Sequence, residues 1–499
     1  MANPELSFVV IGAGMSGILA GIRLREAGYE KVTIVEKGAT LGGTWRENRY
    51  AGLYCDVPAH AYTYSFAPNP DWSSYLAPGP EIQRYFENVV DRHGLHEIIR
   101  CNEEVLRCCW RDGQWRVETR SGARYDADVV IAATGVLHHP RLPDIEGLDS
   151  FAGESFHSAR WPDGIDLAGR RVGILGSGST GVQLVSALAG VAAQVKQFSR
   201  SPQWIMPVEN PSYTEEQRRA LRADPALVDA IRFDETYLAN VERFTDAVAH
   251  PDSDAMHIIE QLVLENLENS VEDPVLREKL RPNYRAACKR LVFSPDYYQA
   301  VQRPGVEVIT ERIRHIEPAG PRTADGVLHE LDVLILATGF HADRYMRPME
   351  IVGRDGVRLE EFWARRPHAY LAIAMPGFPN LFMLNGPGGP VGNFSLIDIA
   401  ERQWSYIAQL IERIDADGYR EIEARRSALA EYEERRIAAA RRTIFGSGCA
   451  SWYLDAEGVP NTWPWSYQAF ADAMTSPDLA AFDFRGGSVR GPAESPRRG

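Results

Sequence analysis

Clustered positive charge is scarce in this sequence. The 54 lysines and arginines are outnumbered by 68 acidic residues, which gives a net charge of −14 at pH 7. Nucleic acids and anionic membrane surfaces attract clustered Lys and Arg, so we expect neither as a partner. The charge balance favours a small-molecule ligand, and nothing in the sequence calls for an obligate protein partner.

Long apolar runs are also scarce. The uncharged run over residues 6–22 contains four glycines and has no basic cluster before it. It falls short of the roughly 20 apolar residues that cross a bilayer. The run therefore predicts neither a signal peptide nor a membrane span, and we expect a cytoplasmic protein.

Cysteines are few, and their spacing fits no metal or disulfide motif. The six cysteines are Cys55, Cys101, Cys108, Cys109, Cys288 and Cys449. They form no C-x-x-C pair and no spacing typical of a zinc site. We therefore expect reduced thiols, no disulfide and no metal centre.

Two glycine-rich loops of equal layout are the first positive feature. Each follows a short apolar run, FVVI or VGIL, and opens a segment with helical spacing of apolar residues. This strand, turn and helix pattern is typical of dinucleotide-binding units, in which the pyrophosphate meets the helix N-terminus. The loop glycines are Gly12, Gly14 and Gly17 in the first loop and Gly176, Gly178 and Gly181 in the second.

The residue that follows the second strand of each unit predicts which dinucleotide binds. Glu36 stands 24 residues after Gly12, where an acid accepts hydrogen bonds from an adenosine ribose, so the first loop suits FAD or NAD. The same distance from Gly176 leads to Arg200. A guanidinium binds a 2′-phosphate that an acid would repel, so the second loop predicts NADPH.

The rest of the chain is organised around these loops. Residues 128–135 and 332–340 are apolar runs, and each contains the tripeptide Ala-Thr-Gly at or near its end. Each run is expected to close one nucleotide-binding sheet. The predicted fold class is α/β, with two interleaved doubly wound domains and a helical insertion. The expected parts are an FAD-binding domain over 1–144, an NADPH-binding domain over 145–340 with the insertion at about 210–285, the second FAD part with substrate-side loops over 341–484, and a disordered tail over 485–499.

The helical insertion has its own local markers. A capping box is predicted at Thr214 and Gln217, and Pro225, Pro251 and Pro274 are expected to break the helices. Beyond the second sheet, an amphipathic helix is predicted at about residues 396–414.

Two further motifs resemble those of one flavoprotein family, the Baeyer-Villiger monooxygenases. The stretch FAGESFHSARWP matches the family fingerprint F-x-G-x-x-x-H-x-x-x-W-P, just before the second glycine loop. A second marker, G-G-x-W with R-Y-P-G and C-D, is matched except at Ala51, where proline is usual, and Tyr54, where arginine is common. The matched residues are Phe151, Gly153, His157, Trp161 and Pro162 in the fingerprint, and Gly42, Gly43, Trp45, Arg49, Tyr50, Gly52, Cys55 and Asp56 in the marker.

The resemblance implies an FAD- and NADPH-dependent monooxygenase whose substrates are O2 and a small ketone. Such an enzyme inserts one oxygen atom next to the ketone carbonyl through a C4a-peroxyflavin, and the product is an ester or a lactone. The resemblance also implies that His157 and its fingerprint neighbours belong to a hinge that links nicotinamide position to flavin state, a gating role.

The same resemblance implies the site residues. Arg290 would stabilise the peroxide and the adduct, and Asp56 would hold its guanidinium. An arginine suits this role because it keeps its charge when buried, whereas a lysine readily loses its proton. Lys289 would contact the NADPH phosphate. Together with the loop glycines, the expected cofactor contacts are Glu36, Thr44, Trp45, Asp56, Tyr62, Arg200, Lys289 and Arg290; Tyr62 is equally well explained as a core aromatic.

Other flavoprotein functions stay open at this point. A sulfur- or nitrogen-oxygenating flavin monooxygenase needs no arginine like Arg290. A non-catalytic NADP sensor would use degenerate loops, and a flavin reductase would leave no oxygen from O2 in a product. A disulfide reductase is disfavoured, because the segment after Glu36 holds only Cys55 where that chemistry needs a cysteine pair.

Overall fold

The computed structural model of the chain describes residues 3–232, 234–390 and 394–486. The strands in these ranges are β1 Ser7–Ile11, β2 Lys31–Val35, β3 Ile99–Arg100, β4 Val105–Arg111, β5 Gln114–Thr119, β6 Arg124–Ala127, β7 Val129–Ala132, β8 Glu154–His157, β9 Arg171–Leu175, β10 Gln194–Phe198, β11 Ile205–Pro207, β12 Val292–Ser294, β13 Val306–Ile309, β14 Ile313–Glu317, β15 Gly320–Thr323, β16 Val333–Leu336, β17 Glu350–Val352, β18 Leu381–Met383, β19 Glu421–Ala424 and β20 Phe482–Arg485. The α-helices are α1 Met15–Glu26, α2 Thr44–Glu47, α3 Gly79–Arg92, α4 Ser179–Leu188, α5 Glu215–Ala223, α6 Pro225–Arg232, α7 Glu235–Ala249, α8 Asp254–Ser270, α9 Pro274–Leu280, α10 Tyr297–Ala300, α11 Leu359–Phe362, α12 Leu396–Asp417, α13 Arg426–Ala440 and α14 Tyr467–Ala473.

Two five-stranded parallel sheets carry the two glycine loops. Their strand orders are β18-β7-β1-β2-β3 and β13-β10-β9-β16-β8. In the first sheet, β1 precedes the glycine loop and lies between β2 and β7. In the second sheet, β9 precedes the glycine loop and lies between β10 and β16. Strands β7 and β16 are the two that precede Ala-Thr-Gly. Strands β7 and β16 are buried along their whole length, as expected for parallel sheets covered on both faces. The predicted α/β class with two doubly wound domains is confirmed.

The chain returns to the first sheet after completing the second. Strand β18 pairs in parallel with β7, although the whole second sheet lies between them in the sequence. Strand β17 likewise pairs with β4. The first domain is therefore built from two chain segments, which confirms the predicted interleaving, while the domain bounds near residues 144 and 340 stay a prediction.

Helices α5 to α9 lie in the region predicted as a helical insertion. The capping box at its start is present: the Gln217 N–H donates to the Thr214 hydroxyl (3.2 Å), and the Thr214 N–H donates to the Gln217 side chain (2.8 Å). Helices α6 and α9 begin at Pro225 and Pro274, where the missing N–H of proline breaks no helical hydrogen bond. The insertion leads directly to the segment that contains Arg290.

The C-terminal part packs on the first domain. Helix α12 covers the predicted amphipathic stretch and buries Ile407, Leu410 and Ile411 in the same core as α1. Of the predicted tail, Arg485 belongs to β20, which pairs with β19. Residues 487–499 lie outside the described residues.

The uncharged run at residues 6–22 is part of the first domain core. It forms β1, the glycine turn and the first part of α1, and most of it is buried. Throughout the described ranges, no helix combines the length and the hydropathy that a membrane span requires.

The prediction that all six cysteines are reduced thiols is wrong for one pair. Cys288 and Cys449 form a disulfide, with Cα atoms 6.2 Å apart, a separation that suits such a bond. The two residues are 161 positions apart in the sequence, so no local spacing identifies them. They meet because the segment from Ile444 onward packs against residues 286–291 in a small hydrophobic cluster.

Candidate active site

The first glycine loop has the close packing of a dinucleotide site. Gly12 has a φ of +106°, and a Cβ there would lie 2.5 Å from the Ala133 carbonyl oxygen. A Cβ at Gly17 would overlap the Gly12 carbonyl oxygen. Gly14 caps α1 without a side-chain hydrogen bond, and no acid stands in the first turn of that helix. The N–H groups at the helix start are therefore free to bind an anion such as the pyrophosphate of FAD.

Glu36 lies beside this loop, just past the end of β2. Its carboxylate is 4% exposed and accepts hydrogen bonds from the Ala13 N–H (2.8 Å) and the Gly38 N–H (2.7 Å). The acid is thus held at the loop, where the adenosine ribose lies in dinucleotide-binding folds. These residues fit FAD.

The second glycine loop repeats the geometry. Gly176 has a φ of +137°, and a Cβ there would overlap the Ala337 carbonyl oxygen. A Cβ at Gly181 would overlap the Gly176 carbonyl oxygen, whereas one at Gly178 would meet no atom within 4 Å. Gly178 is the N-cap of helix α4, which has no side-chain cap and no acid in its first turn. A second pyrophosphate fits this open helix start.

Two cations gather just past the carboxyl end of β10, beside the second loop. The Lys289 ammonium donates to the Ser201 hydroxyl (2.8 Å) and lies 4.2 Å from the centre of the Tyr284 ring. Burial, and then the nearby charge of Arg200, lower the pKa of Lys289. Within the described part of the chain, no carboxylate forms an ion pair with Arg200 or Lys289. This pair of uncompensated cations fits the 2′-phosphate of NADPH.

We expect this protein to use NADPH at least about tenfold more efficiently than NADH, equivalent to about 1.4 kcal/mol in kcat/KM. The physical reason is the attraction of Arg200 and Lys289 for the 2′-phosphate, which NADH lacks. Steady-state kinetics with both cofactors measure the preference. Arg200→Ala should reduce it, and Arg111→Ala, which removes an exposed arginine of β4, should not. Equal efficiency with both cofactors in the wild type would contradict this assignment.

The fingerprint residues form a packed connection into the second sheet. A Cβ at Gly153 would lie 2.5 Å from the Asp332 carbonyl oxygen, so the chain approaches β16 too closely for a side chain. Phe151 belongs to a buried cluster that includes Leu334 of β16. Trp161 packs edge-on against Phe156, with ring centres 5.2 Å apart. The fingerprint is therefore a structural part of the NADPH-side sheet.

His157 ties the fingerprint to the Ala-Thr-Gly turn. Its Nε2–H donates to the Gly339 carbonyl (3.0 Å), and its Nδ1 accepts the Ala159 N–H (3.1 Å). These two partners fit the neutral imidazole with its proton on Nε2. Burial also favours the neutral form and lowers the His157 pKa. His157 contacts backbone groups, and its predicted gating role would act through the turn.

His157→Ala is expected to slow turnover and flavin reduction by about tenfold, because it removes one hydrogen bond of about 1–1.5 kcal/mol from the turn. FAD should stay bound, since His157 does not line the first glycine loop. Stopped-flow reduction by NADPH and the ratio of flavin to protein measure both effects. His329→Ala, which removes another buried histidine of the second domain, serves as the control. If His157→Ala loses flavin or fails to fold while His329→Ala does not, the gating role is contradicted and His157 has a purely structural role.

Two marker residues connect the first domain to the second. The Arg49 guanidinium donates to the Trp161 carbonyl (3.2 Å) and forms an ion pair with Asp163 (2.5 Å). The Tyr50 hydroxyl donates to the Gln183 side chain of α4 (2.8 Å). The marker loop therefore touches both the fingerprint and the helix of the second glycine loop. The sequence identified Arg49 and Tyr50 as residues of the family marker but gave them no role. It did not identify Gln183 as a contact, because that residue belongs to neither motif.

Two of the other expected flavin contacts, Thr44 and Trp45, lie at the start of helix α2. Thr44 is exposed at its first position, and Trp45 is buried. The Trp45 Nε1–H donates to the Tyr62 hydroxyl oxygen (3.2 Å), and both residues belong to the first domain core. Tyr62 thus has the core position that sequence reasoning left open, and its contact with FAD stays a prediction.

Arg290 and Asp56 are brought together across 234 positions of sequence. The Arg290 guanidinium donates to the Asp56 carboxylate (2.5 Å), and the two side chains are 28% and 18% exposed. Burial opposes the charge on Arg290, but the negative charge of Asp56 and contacts with Tyr453 hold the Arg290 pKa above its ordinary value. Arg290 therefore carries a permanent positive charge. Tyr453 was missed by sequence reasoning, because no motif pairs it with Arg290.

The two departures from the family marker are accommodated by packing. Ala51 packs against the core of the second domain. The Tyr54 hydroxyl donates to the Phe293 carbonyl of β12 (3.1 Å), and burial is the main reason that its pKa rises to about 12. Tyr54 thus connects the marker loop to the strand that follows Arg290.

Several known proteins are similar to this chain over more than nine-tenths of its length. A family model described as pyridine nucleotide-disulphide oxidoreductase matches residues 9–220. An uncharacterized monooxygenase of Mycobacterium tuberculosis is 45% identical over 459 residues, covering 92% of each chain. A Baeyer-Villiger monooxygenase of Streptomyces coelicolor is 36% identical over 492 residues, covering 96% of this chain and 93% of that one. The crystal structure of the OTEMO complex with FAD and NADP has a TM-score of 0.84 at 28% identity, covering 97% of this chain and all of that one.

Proposed function

Because the chain belongs to the Baeyer-Villiger monooxygenase family, we propose that it inserts one oxygen atom of O2 next to a ketone carbonyl and releases an ester or a lactone. The protein is a flavin monooxygenase that uses FAD and NADPH. The observation that carries the proposal is the ion pair between Arg290 and Asp56 (2.5 Å). It supplies a fixed positive charge of the kind that oxygen insertion at a carbonyl needs.

We assign FAD to the first glycine loop and NADPH to the second. Glu36 beside the first loop suits a ribose, and Arg200 with Lys289 beside the second suits a 2′-phosphate. When bound, the flavin supplies the redox chemistry, since it accepts a hydride from NADPH and activates dioxygen. The protein orients the two cofactors toward each other.

Arg290 stabilises negative charge on oxygen as the ketone carbonyl is attacked. A guanidinium suits this step because it does not lose its proton when partly buried, unlike a lysine ammonium. Asp56 restricts the guanidinium to one orientation, so the charge is in place before the reaction begins. Adjacent Lys289 donates to Ser201 instead, so the two neighbouring cations serve different parts of the site.

The fingerprint transmits movement between the two cofactors. His157 holds the Ala-Thr-Gly turn of the second sheet, and Arg49 joins the marker loop of the first domain to Trp161 and Asp163. A shift of either domain thus acts on the other through these contacts. Movements of this kind set the turnover of many enzymes.

The proposal is tested by assaying ketones and a thioether side by side with NADPH and O2. We expect esters or lactones from linear, cyclic or aryl ketones, with sulfoxide formation slower. A sulfur- or nitrogen-oxygenating monooxygenase would give the reverse order, because its electrophilic oxygen needs no anion-stabilising arginine. A flavin reductase would consume NADPH without forming either product.

A further inference from the structure

The disulfide between Cys288 and Cys449 lies next to the proposed catalytic arginine. Cys288 is 1% exposed and stands two positions before Arg290. The Ser447 hydroxyl donates to the Cys288 sulfur (3.1 Å). The bond therefore links residues 444–453, here called the C-terminal segment, to the residues just before β12, which include Lys289 and Arg290.

The C-terminal segment reaches Arg290 through Tyr453. Its Ile444, Phe445 and Tyr453 share one buried cluster with Cys288 and Leu291. Tyr453 is 3% exposed, and its ring centre lies 4.3 Å from that of Phe445. It lies near enough to Arg290 for the two side chains to interact electrostatically. Arg290 thus forms an ion pair with Asp56 from the first domain and lies near Tyr453 from the C-terminal segment.

Without the disulfide, Tyr453 is held by its buried cluster and by local contacts such as the hydrogen bond from the Asn461 N–H to its carbonyl (2.8 Å). The segment contains Gly446 and Gly448, with φ of +99° at Gly448, and a glycine-rich stretch has much conformational freedom to regain. A covalent link between residues 161 positions apart removes that freedom. In the cytoplasm, where we expect this protein from its sequence, disulfides are mostly transient and redox-sensing, so the link is suited to a switch.

We propose that Cys288 and Cys449 form a redox-controlled tether: closed, it holds Tyr453 near Arg290 and favours ester formation, and open, after reduction by a dithiol that is itself oxidised to a disulfide, it frees the C-terminal segment and favours hydrogen peroxide. The inference rests on the proposed function for the role of Arg290. Hydrogen peroxide is also the oxidant that closes the tether. Each thiol loses one proton and one electron as the S–S bond forms, and the two electrons break the O–O bond of hydrogen peroxide to give two waters. Hydrogen peroxide that the enzyme releases instead of ester would therefore close the tether and restore the ester-forming state.

The tether itself is tested without any turnover. The full-length flavoprotein is treated with hydrogen peroxide or dithiothreitol, alkylated and digested with trypsin. Peroxide should give a linked pair of the peptides 286–289 and 443–485, and dithiothreitol should release both. In limited proteolysis, cleavage after exposed Arg441 or Arg442 should be faster in the reduced protein. Alkylation of both cysteines in peroxide-treated protein would overturn the proposal.

The effect on chemistry is tested by the ratio of ester to hydrogen peroxide for each NADPH consumed. Reduction of the wild type should lower this ratio by at least about fivefold, the lower end of typical coupling between two sites. Cys449→Ser should have the low ratio permanently and ignore dithiothreitol. Cys109→Ser, which removes a partly exposed free thiol, should behave as the wild type. Tyr453→Phe should keep the linked peptides and lose most of the response.

These outcomes separate the two proposals. A protein that closes the link but forms no ester under any condition would contradict the proposed function and leave the tether standing. A protein that forms ester with the same ratio in both redox states, or a Cys449→Ser variant that still responds to dithiothreitol, would overturn the tether alone.

Discussion

An Arg290→Ala enzyme is expected to retain part of its flavin reduction by NADPH and to lose ketone oxygenation by a hundred- to a thousandfold, or about 3–4 kcal/mol. The reason is that Arg290 supplies the one permanent charge proposed to face the developing oxyanion, held in place by Asp56 (2.5 Å). Oxygen should then return as hydrogen peroxide. Stopped-flow reduction, ester yield and peroxide yield distinguish the two half-reactions.

Conservative and control variants sharpen this test. Arg290→Lys should rescue little, because a lysine offers one mobile ammonium that loses its proton when buried. Asp56→Ala should weaken oxygenation less, since the arginine keeps its charge and loses only its anchor. Arg285→Ala, which breaks a more exposed ion pair with Glu260 (2.7 Å), should leave oxygenation unchanged. An Arg290→Ala enzyme that couples NADPH to ester as well as the wild type would refute the assignment.

Gly14→Ala and Gly178→Ala are expected to separate the two cofactors. Both glycines have negative φ, −79° and −73°, so alanine fits the backbone. An added Cβ would lie 3.5 Å from the Gly43 Cα in the first case and meet no atom within 4 Å in the second. The fold should therefore persist, while the methyl group occupies the surface that a pyrophosphate approaches.

Gly14→Ala should purify with little or no flavin, and Gly178→Ala should stay yellow with a KM for NADPH raised at least about tenfold, or about 1.4 kcal/mol. The ratio of flavin to protein and steady-state kinetics measure these effects. Each variant is the control for the other, because both add one methyl group at a helix N-cap. Flavin loss from Gly178→Ala with flavin retained in Gly14→Ala would reverse the assignment of the loops.

The features that the sequence predicts well are local. Gly12 and Gly17 stand five residues apart and meet each other in the fold, so their spacing alone indicates the tight turn. Glu36 and Arg200 are placed by the fixed length of a strand, helix and strand unit. The capping box at Thr214 is likewise decided within one helical turn.

The features that the sequence did not predict join distant segments. Cys288 meets Cys449 across 161 residues through the packing of Ile444 and its neighbours. The same packing places Tyr453 near enough to Arg290 to interact with it electrostatically. The pair of Arg290 and Asp56 was expected through family resemblance, since periodicity and spacing carry no information about contacts of this range.

The most direct test of oxygen insertion is turnover of a ketone under ¹⁸O2 in ordinary water, followed by mass spectrometry of the ester. We expect one ¹⁸O atom in each ester molecule, in the new position between the carbonyl carbon and the migrated carbon, with one NADPH consumed per ester in the fully coupled enzyme. NADPH consumption with no ester, or an ester that contains only ¹⁶O, would contradict the proposed function.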